Sequence, residues 1–224
     1  MKKFILLTAA IIFTYGYSNA QFSQGTICLS GVIDFQSTGG ETTTAGVSTD
    51  NPKTSVIGFI PKGLYFLNPN LAVGLGIGYT STKTTTVAAG FSETEATTSL
   101  VSFLPCARYL LVGNERAGIS GMFVIDYSTG KTETTTSFVS GAPSTTAETD
   151  ISAFGLAVAP HFYLFLTDRI AIESTFGHLG YGSVKTETGT GAAATETTNT
   201  AFSLNLNPLN SLTFGVAFYF GGSE

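Results

Sequence analysis

The sequence predicts an all-β fold, an eight-stranded antiparallel up-and-down transmembrane β-barrel, and three observations lead there. The 224-residue chain is 43% hydrophobic and only 11% charged, yet beyond its first twenty residues it has no unbroken apolar stretch near the roughly 18 residues a membrane helix needs. Segments with a period of two recur, apolar on one parity and small or polar on the other, as strands between lipid and a lumen require. Long polar segments alternate with tight turns, the asymmetry of a barrel with short turns at one end and long loops at the other.

The N-terminus reads separately. Lys2 and Lys3 precede the apolar run Phe4 to Phe13, and the small residues Ser18, Asn19 and Ala20 follow. A positive, then apolar, then small-residue order is that of a secretory signal peptide. Residues 1–20 are therefore expected to be cleaved, leaving a barrel domain over 21–224. The run is too short to cross a bilayer core of roughly 30 Å as a helix. Gln21, not a cysteine, would open the mature chain, so no lipid anchor is expected there.

What remains, about 200 residues, suits one domain. The formal net charge of -5 becomes -7 without Lys2 and Lys3, which disfavours nucleic-acid partners. Cys28 and Cys106 could oxidise in the periplasm or serve as two small apolar fillers.

The strands follow in order. Thr26 to Gln36 sets Ile27, Leu29, Ile33 and Phe35 against Cys28, Ser30, Asp34 and Gln36. In Thr54 to Phe66, Ile57, Phe59, Pro61 and Tyr65 face outward and Lys62 inward. Leu71 to Thr82 is the cleanest, with Leu71, Val73, Leu75, Ile77 and Tyr79 opposite Ala72, Gly74, Gly76, Gly78 and Thr80. Thr98 to Leu111 turns Val101, Phe103, Pro105 and Tyr109 outward and Arg108 inward. Ala117 to Ser128 sets Ile119, Phe123, Ile125 and Tyr127 against Gly118, Ser120, Met122 and Asp126. Ser152 to Phe165 places Phe154, Leu156, Val158, Pro160 and Phe162 outside and His161 inside. Ile170 to Tyr181 does the same with Ile170, Ile172 and Phe176 outside and Glu173 inside. The last strand carries Leu212, Phe214, Val216, Phe218 and Phe220 against Thr213, Gly215 and Ala217. Charge fixes the ambiguous parities, because a midplane Lys or Arg facing lipid costs about 2–4 kcal/mol. The three in-strand prolines are expected at bulges.

Between strands, Asn68-Pro69-Asn70, Gly113-Asn114-Glu115 and Thr167-Asp168-Arg169 are tight turn signals. The long segments, about Ser37–Lys53, Lys83–Thr97, Gly130–Asp150 and Val184–Thr200, are rich in Thr, Gly, Ala and Glu and share Lys-Thr openings or Glu-Thr clusters. Threonine favours strands, so these hairpins either continue as ribbon or end in solvated low-complexity tips. Both termini fall on the short-turn side, the periplasm. Tyr65, Phe66, Tyr109, Phe162, Phe218 and Phe220 cluster near the short turns, and Phe35, Tyr79, Tyr127 and Tyr181 near the long loops, as two interfacial belts.

The stretches Phe103-Leu104-Pro105-Cys106-Ala107-Arg108-Tyr109, Val158 through Phe165 and Phe176 through Tyr181 resemble the outer-membrane β-barrel domain family of small bacterial surface proteins. The resemblance covers the mature chain and implies an OmpA/OmpX-like barrel, integral to the outer membrane of a Gram-negative cell. Members commonly lack a known activity. Their C-terminal aromatic resembles the signal read by the barrel-assembly machinery; Phe220 would fill that place, with Gly221, Gly222, Ser223 and Glu224 after it.

The residues that could carry chemistry are luminal: Asp34, Lys62, Arg108, Asp126, His161 and Glu173. Lys62, Arg108, His161 and Glu173 fall at similar heights in the short-turn half, whereas Asp34 and Asp126 lie higher. A narrow eight-stranded interior can be filled by side chains, so a polar plug is the expectation, with Arg108, Glu173 and Lys62 or His161 at its centre. No catalytic residues and no cofactor are expected, because His161 and His178 are the only histidines and neither lies in a long loop. No metal site is expected, since no close His or Cys pair has ligand spacing. The role expected is structural or surface-interacting, a monomer contacting outer-membrane lipid and lipopolysaccharide, with a surface partner at the long loops. The alternative is a small porin-like pore or transporter for ions or small hydrophobic molecules, suggested by the glycine-rich wall of Gly74, Gly76, Gly78, Gly118, Gly155 and Gly177. A lipid-modifying enzyme is the third reading.

Overall fold

A computed structural model describes residues 22–44, 47–88, 91–138, 140–189, 194–205 and 213–221. The signal segment 1–20, Gln21, Leu212 and the tail from Gly222 lie outside the described residues. The described residues form ten strands: β1 (Ile27–Thr44), β2 (Val47–Asn68), β3 (Leu71–Ala88), β4 (Ser92–Gly113), β5 (Ala117–Phe138), β6 (Thr145–Phe165), β7 (Ile170–Thr175), β8 (His178–Thr188), β9 (Thr195–Asn205) and β10 (Thr213–Phe220). Neighbours pair antiparallel from β1 to β7, and β10 closes the ring between β7 and β1. β8 continues the line of β7 and pairs with β6 and β9, so eight strand positions surround the lumen. This is the expected up-and-down barrel.

Alternation follows the expected parities. On β3, Ala72 is fully buried while Val73, Leu75, Ile77 and Tyr79 are exposed. The outward parity carries the exposed apolar side chains, and the inward parity carries small and polar groups together with buried apolar ones such as Leu64, Leu110 and Met122. One aromatic is reassigned: Phe66 is 1% exposed and faces the lumen, not the belt. Its neighbour Tyr65 occupies the outward parity, and two successive strand residues cannot share a face.

The three short turns are built alike. Asn68 Oδ1 accepts from the amides of Asn70 and Leu71, both at 2.9 Å. Asn114 Oδ1 does so from Arg116 and Ala117, and Thr167 Oγ1 from Arg169 and Ile170. A short acceptor side chain bonding the backbone two and three residues on is what makes these types turn formers.

At the other end most of the described polar residues continue as strand: β2, β4 and β5 run 22 residues each, against the roughly 9–11 that cross a bilayer. Cross-strand threonine pairs tie the ribbons, including Thr98–Thr132 at 2.7 Å, Thr94–Thr136 at 3.2 Å and Thr149–Thr188 at 3.0 Å. Exposed ion pairs join the same strands: Lys83–Glu95 at 2.7 Å, Lys131–Glu148 at 3.3 Å and Lys185–Glu196 at 2.8 Å.

Of the three in-strand prolines, only Pro160 stands beside a bulge. Register shifts fall between Thr38 and Gly40, Phe66 and Asn68, and Leu110 and Val112. Pro61 and Pro105 each leave a gap in one ladder without shifting it, and stay paired on the other side with Gly31 and Leu75. A missing N–H removes one ladder bond and no more. Opposite Pro160 the neighbouring strand bulges: Phe176, Gly177 and His178 span the gap facing Ala159 and Pro160. Gly177, at φ 66°, takes the left-handed conformation there. The outward parity consequently passes from Ile170 and Ile172 to Leu179 and Tyr181.

Candidate functional site

The buried residues gather inside the short-turn half of the barrel. Arg108 on β4 is at the centre, 1% exposed. Its Nη1 donates to Glu173 Oε1 on β7 at 2.7 Å and to the Tyr219 hydroxyl on β10 at 2.8 Å. Tyr219 donates in turn to the same Glu173 oxygen at 2.6 Å. Arg108 Nε donates to Ser120 Oγ on β5 at 3.2 Å. Ser120 Oγ lies 3.1 Å from His161 Nδ1 on β6, and His161 Nε2 lies 3.3 Å from Glu173 Oε2. Five strands thus contribute to one closed set of polar contacts across the lumen. Each strand places its residue there by parity, since Arg108, Ser120, His161, Glu173 and Tyr219 all sit on the inward one.

Aromatic rings floor this cluster on the short-turn side. The Arg108 guanidinium carbon lies 5.3 Å from the Phe22 ring centroid and 5.0 Å from that of Tyr163, within cation–π range. Phe22 stacks on Phe66 with centroids 4.4 Å apart and meets Tyr163, Phe165 and Tyr219 within 6 Å. The chain before β1 is bonded in place, with the Gly25 amide donating to the Phe66 carbonyl and the Phe66 amide to the Thr26 carbonyl, both at 2.9 Å. Tyr163 fits because Gly118, directly across the β5–β6 ladder, has no side chain. A Cβ at Gly118 or Gly113 would run into the Tyr163 hydroxyl.

Of the six candidate residues the structure brings Arg108, His161 and Glu173 together. Lys62, half-buried, joins His161 and Glu173 around a cavity of about 10 Å³, near the size of one water. Asp34 stays exposed, higher in the barrel beside Gly58. Asp126 is also separate and accepts from Ser128 Oγ at 2.6 Å. Ser120, Tyr219, Phe22, Tyr163 and Phe66, none of them among the six, complete the site. Cys28 and Cys106 are buried, free thiols, with Cys28 Sγ 4.0 Å from Glu173 Oε1.

Ser120, His161 and Glu173 have the connectivity of a nucleophile, base and acid, yet Ser120 is 0% exposed and its hydroxyl is engaged by Arg108. Among the described residues no group of three or more His, Cys, Asp or Glu could hold a metal ion.

No family model and no curated protein matches the sequence. Among solved structures, the chain is similar to Ail, the attachment invasion locus protein of Yersinia pestis, at 14% identity, with 88% of this chain and 99% of that one covered and a TM-score of 0.38. It is similar to the outer membrane protein OprG from Pseudomonas aeruginosa at 13% identity, covering 90% and 99%, with a TM-score of 0.42. It is also similar to the translocator domain of the autotransporter NalP from Neisseria meningitidis, at 13% identity, covering 99% and 77%, with a TM-score of 0.44. A ring of eight strand positions closed by β10, with an apolar outer face, is the form a bilayer demands of a sheet that crosses it; the chain folds as an eight-stranded antiparallel up-and-down β-barrel with the apolar exterior of a membrane-spanning one.

Proposed function

We propose that this protein is a monomeric outer-membrane barrel with a closed lumen, whose work is done by the long ribbons it holds outside the cell. The observation that carries the reading is the Arg108 cluster, which engages five of the eight wall positions and rests on a floor of aromatic rings. Glycines in the wall accommodate that floor, as Gly118 does for Tyr163, so the glycine-rich parity speaks for packing more than for a channel. The buried state of Ser120 speaks for a barrel without catalytic chemistry. The ribbons, continuous strands tied by threonine pairs and ion pairs, form a stiff platform suited to a surface partner or to lipopolysaccharide.

Single-channel conductance of the refolded protein in a planar bilayer tests this, with heat-modifiable gel mobility as the folding control. A folded, silent barrel is expected. Reproducible open events from folded protein would replace the closed-lumen reading with that of a small pore.

A further inference from the structure

Three of the outward strands repeat one spacing. Tyr79, Tyr127 and Tyr181, exposed in the long-loop belt, are each followed four residues later on the same face by Lys83, Lys131 and Lys185. Four residues of strand are about 13 Å, which lifts each ammonium from the interfacial ring to the level of lipid headgroups. Lys53 on β2 stands four residues beyond the outward Ile57 and belongs to the same collar.

Two of the four collar lysines are neutralised by the protein itself. Lys131 meets both Glu148 and Asp150, and Lys185 meets Glu196. The β1–β3 sector differs. Lys53 has no carboxylate partner among the described residues, and Lys83 has only Glu95, in a pair that is 49% and 41% exposed. Exposed pairs contribute about 0–1 kcal/mol wherever they stand on the collar; what sets this sector apart is that Lys53 and Lys83 together face the single carboxylate of Glu95.

Register makes the two lysines one site. Lys53 pairs with Thr85 and Ser55 with Lys83, so the cations occupy one diagonal of a square and two hydroxyls the other. Diagonal neighbours lie roughly 7–8 Å apart, a span that one phosphate group can bridge. Beside them the β1–β2 ladder slips between Thr38 and Gly40. Gly39 there lacks a side chain, and a Cβ on it would approach Lys53 Cγ to 3.1 Å. The result is an outward depression of about 380 Å³ lined by Ser37, Gly39, Lys53, Ser55, Lys83 and Thr85. The rows beneath it toward the membrane are Phe35–Ile57 and Ile33–Phe59–Tyr79, exposed by 77, 58, 76, 54 and 49%. Glu41 and Asp50 face one another farther out on the hairpin, beyond the hydroxyl floor.

We propose that this depression is a binding site for a phosphorylated membrane lipid, its phosphate held between Lys53 and Lys83 and its acyl chains laid along Phe35, Ile57, Phe59 and Tyr79. The charge selects the headgroup, and the apolar rows select a lipid over a free anion. The inference rests on the outer-membrane reading above, since only an inserted barrel sets these rows against acyl chains.

The test is native mass spectrometry of the full chain recovered from membranes in detergent, titrated with phosphatidic acid, with diacylglycerol, and with phosphatidic acid in the presence of excess inorganic phosphate. One retained phosphatidic acid adduct is expected, without an equivalent diacylglycerol adduct and without displacement by inorganic phosphate. Lys53→Gln and Lys83→Gln should each weaken it about fivefold, the ratio that ~1 kcal/mol per basic residue at an anionic surface implies. Lys131→Gln, at the doubly neutralised position, should leave it unchanged. Equal binding of diacylglycerol, displacement by inorganic phosphate, or full affinity in the Lys53→Gln/Lys83→Gln double variant overturns the proposal. Heat-modifiable mobility and co-sedimentation with membranes separate the two readings: if both are present without an adduct, only the lipid site fails, whereas their loss in the wild-type chain removes the barrel reading beneath it.

Discussion

Arg108 and Glu173 form a fully internal ion pair, Nη1 to Oε1 at 2.7 Å, between strands three positions apart around the ring. Both side chains are almost completely removed from solvent, at 1% and 7% exposure. Truncating one member of such a pair strands the other charge and costs about 3–5 kcal/mol, whereas replacing both by apolar groups is often near neutral. Arg108→Ala should therefore lower the urea midpoint of unfolding sharply, and Arg108→Met/Glu173→Leu should recover most of the loss. Equal midpoints for the single and double variants would show that the pair is not the element at stake.

Tyr219 supplies the third corner, its hydroxyl donating to Glu173 at 2.6 Å and accepting from Arg108 at 2.8 Å. Tyr219→Phe keeps the ring against Phe22 and Phe165 and removes only the hydroxyl. Hydrogen bonds to charged groups contribute about 1.5–3 kcal/mol, so a destabilisation in that range is expected by the same measurement. In an Arg108→Met/Glu173→Leu background the substitution should cost far less, because neither charged partner remains.

The barrel and its parities were legible because lipid on one side and a filled lumen on the other impose strict alternation, as on Leu71 to Tyr79. The charged centre followed from the same rule, which sends Arg108, His161 and Glu173 inward. Tyr219 could have been found by extending the parity of Thr213, Gly215 and Ala217 by one step. Phe66 lies beside a turn, where an interfacial aromatic is expected, yet its alternation with Tyr65 sends it inward. Phe22 has no such signal: it precedes β1, so no period defines its direction, and only the folded mouth reveals its neighbours. The ribbon ends were equally hidden, since runs such as Thr84-Thr85-Thr86 put the same residue on both faces and erase the period.

Gly118 stands across from Tyr163 in the β5–β6 ladder, and the ring occupies the space a side chain at Gly118 would need. Gly118→Ala should push Tyr163 off the Arg108 guanidinium and cost about 1–3 kcal/mol, the usual effect of overpacking. Combining it with Tyr163→Ala should add little beyond the cost of Tyr163→Ala alone. Strict additivity of the two substitutions in denaturant melts would mean that the glycine serves something other than this ring.

Phe22, 2% exposed, is the one aromatic of the floor contributed from outside the strands. Its ring stacks on Phe66 and covers Arg108 from the short-turn mouth. Phe22→Ala should destabilise the barrel by about 3–5 kcal/mol through the lost ring. Phe22→Leu retains apolar bulk but loses the cation–π contact, about 0.5–2 kcal/mol, and should fall between. A covering role also has a chemical readout. Phenylglyoxal should leave Arg108 unmodified in the wild-type barrel and react with it in Phe22→Ala under conditions where the protein stays folded. Arg116 and Arg169, exposed in the short turns, should react in both and calibrate the reagent. Modification of Arg108 at the same rate with and without the Phe22 ring would show that the ring packs against the mouth without closing it.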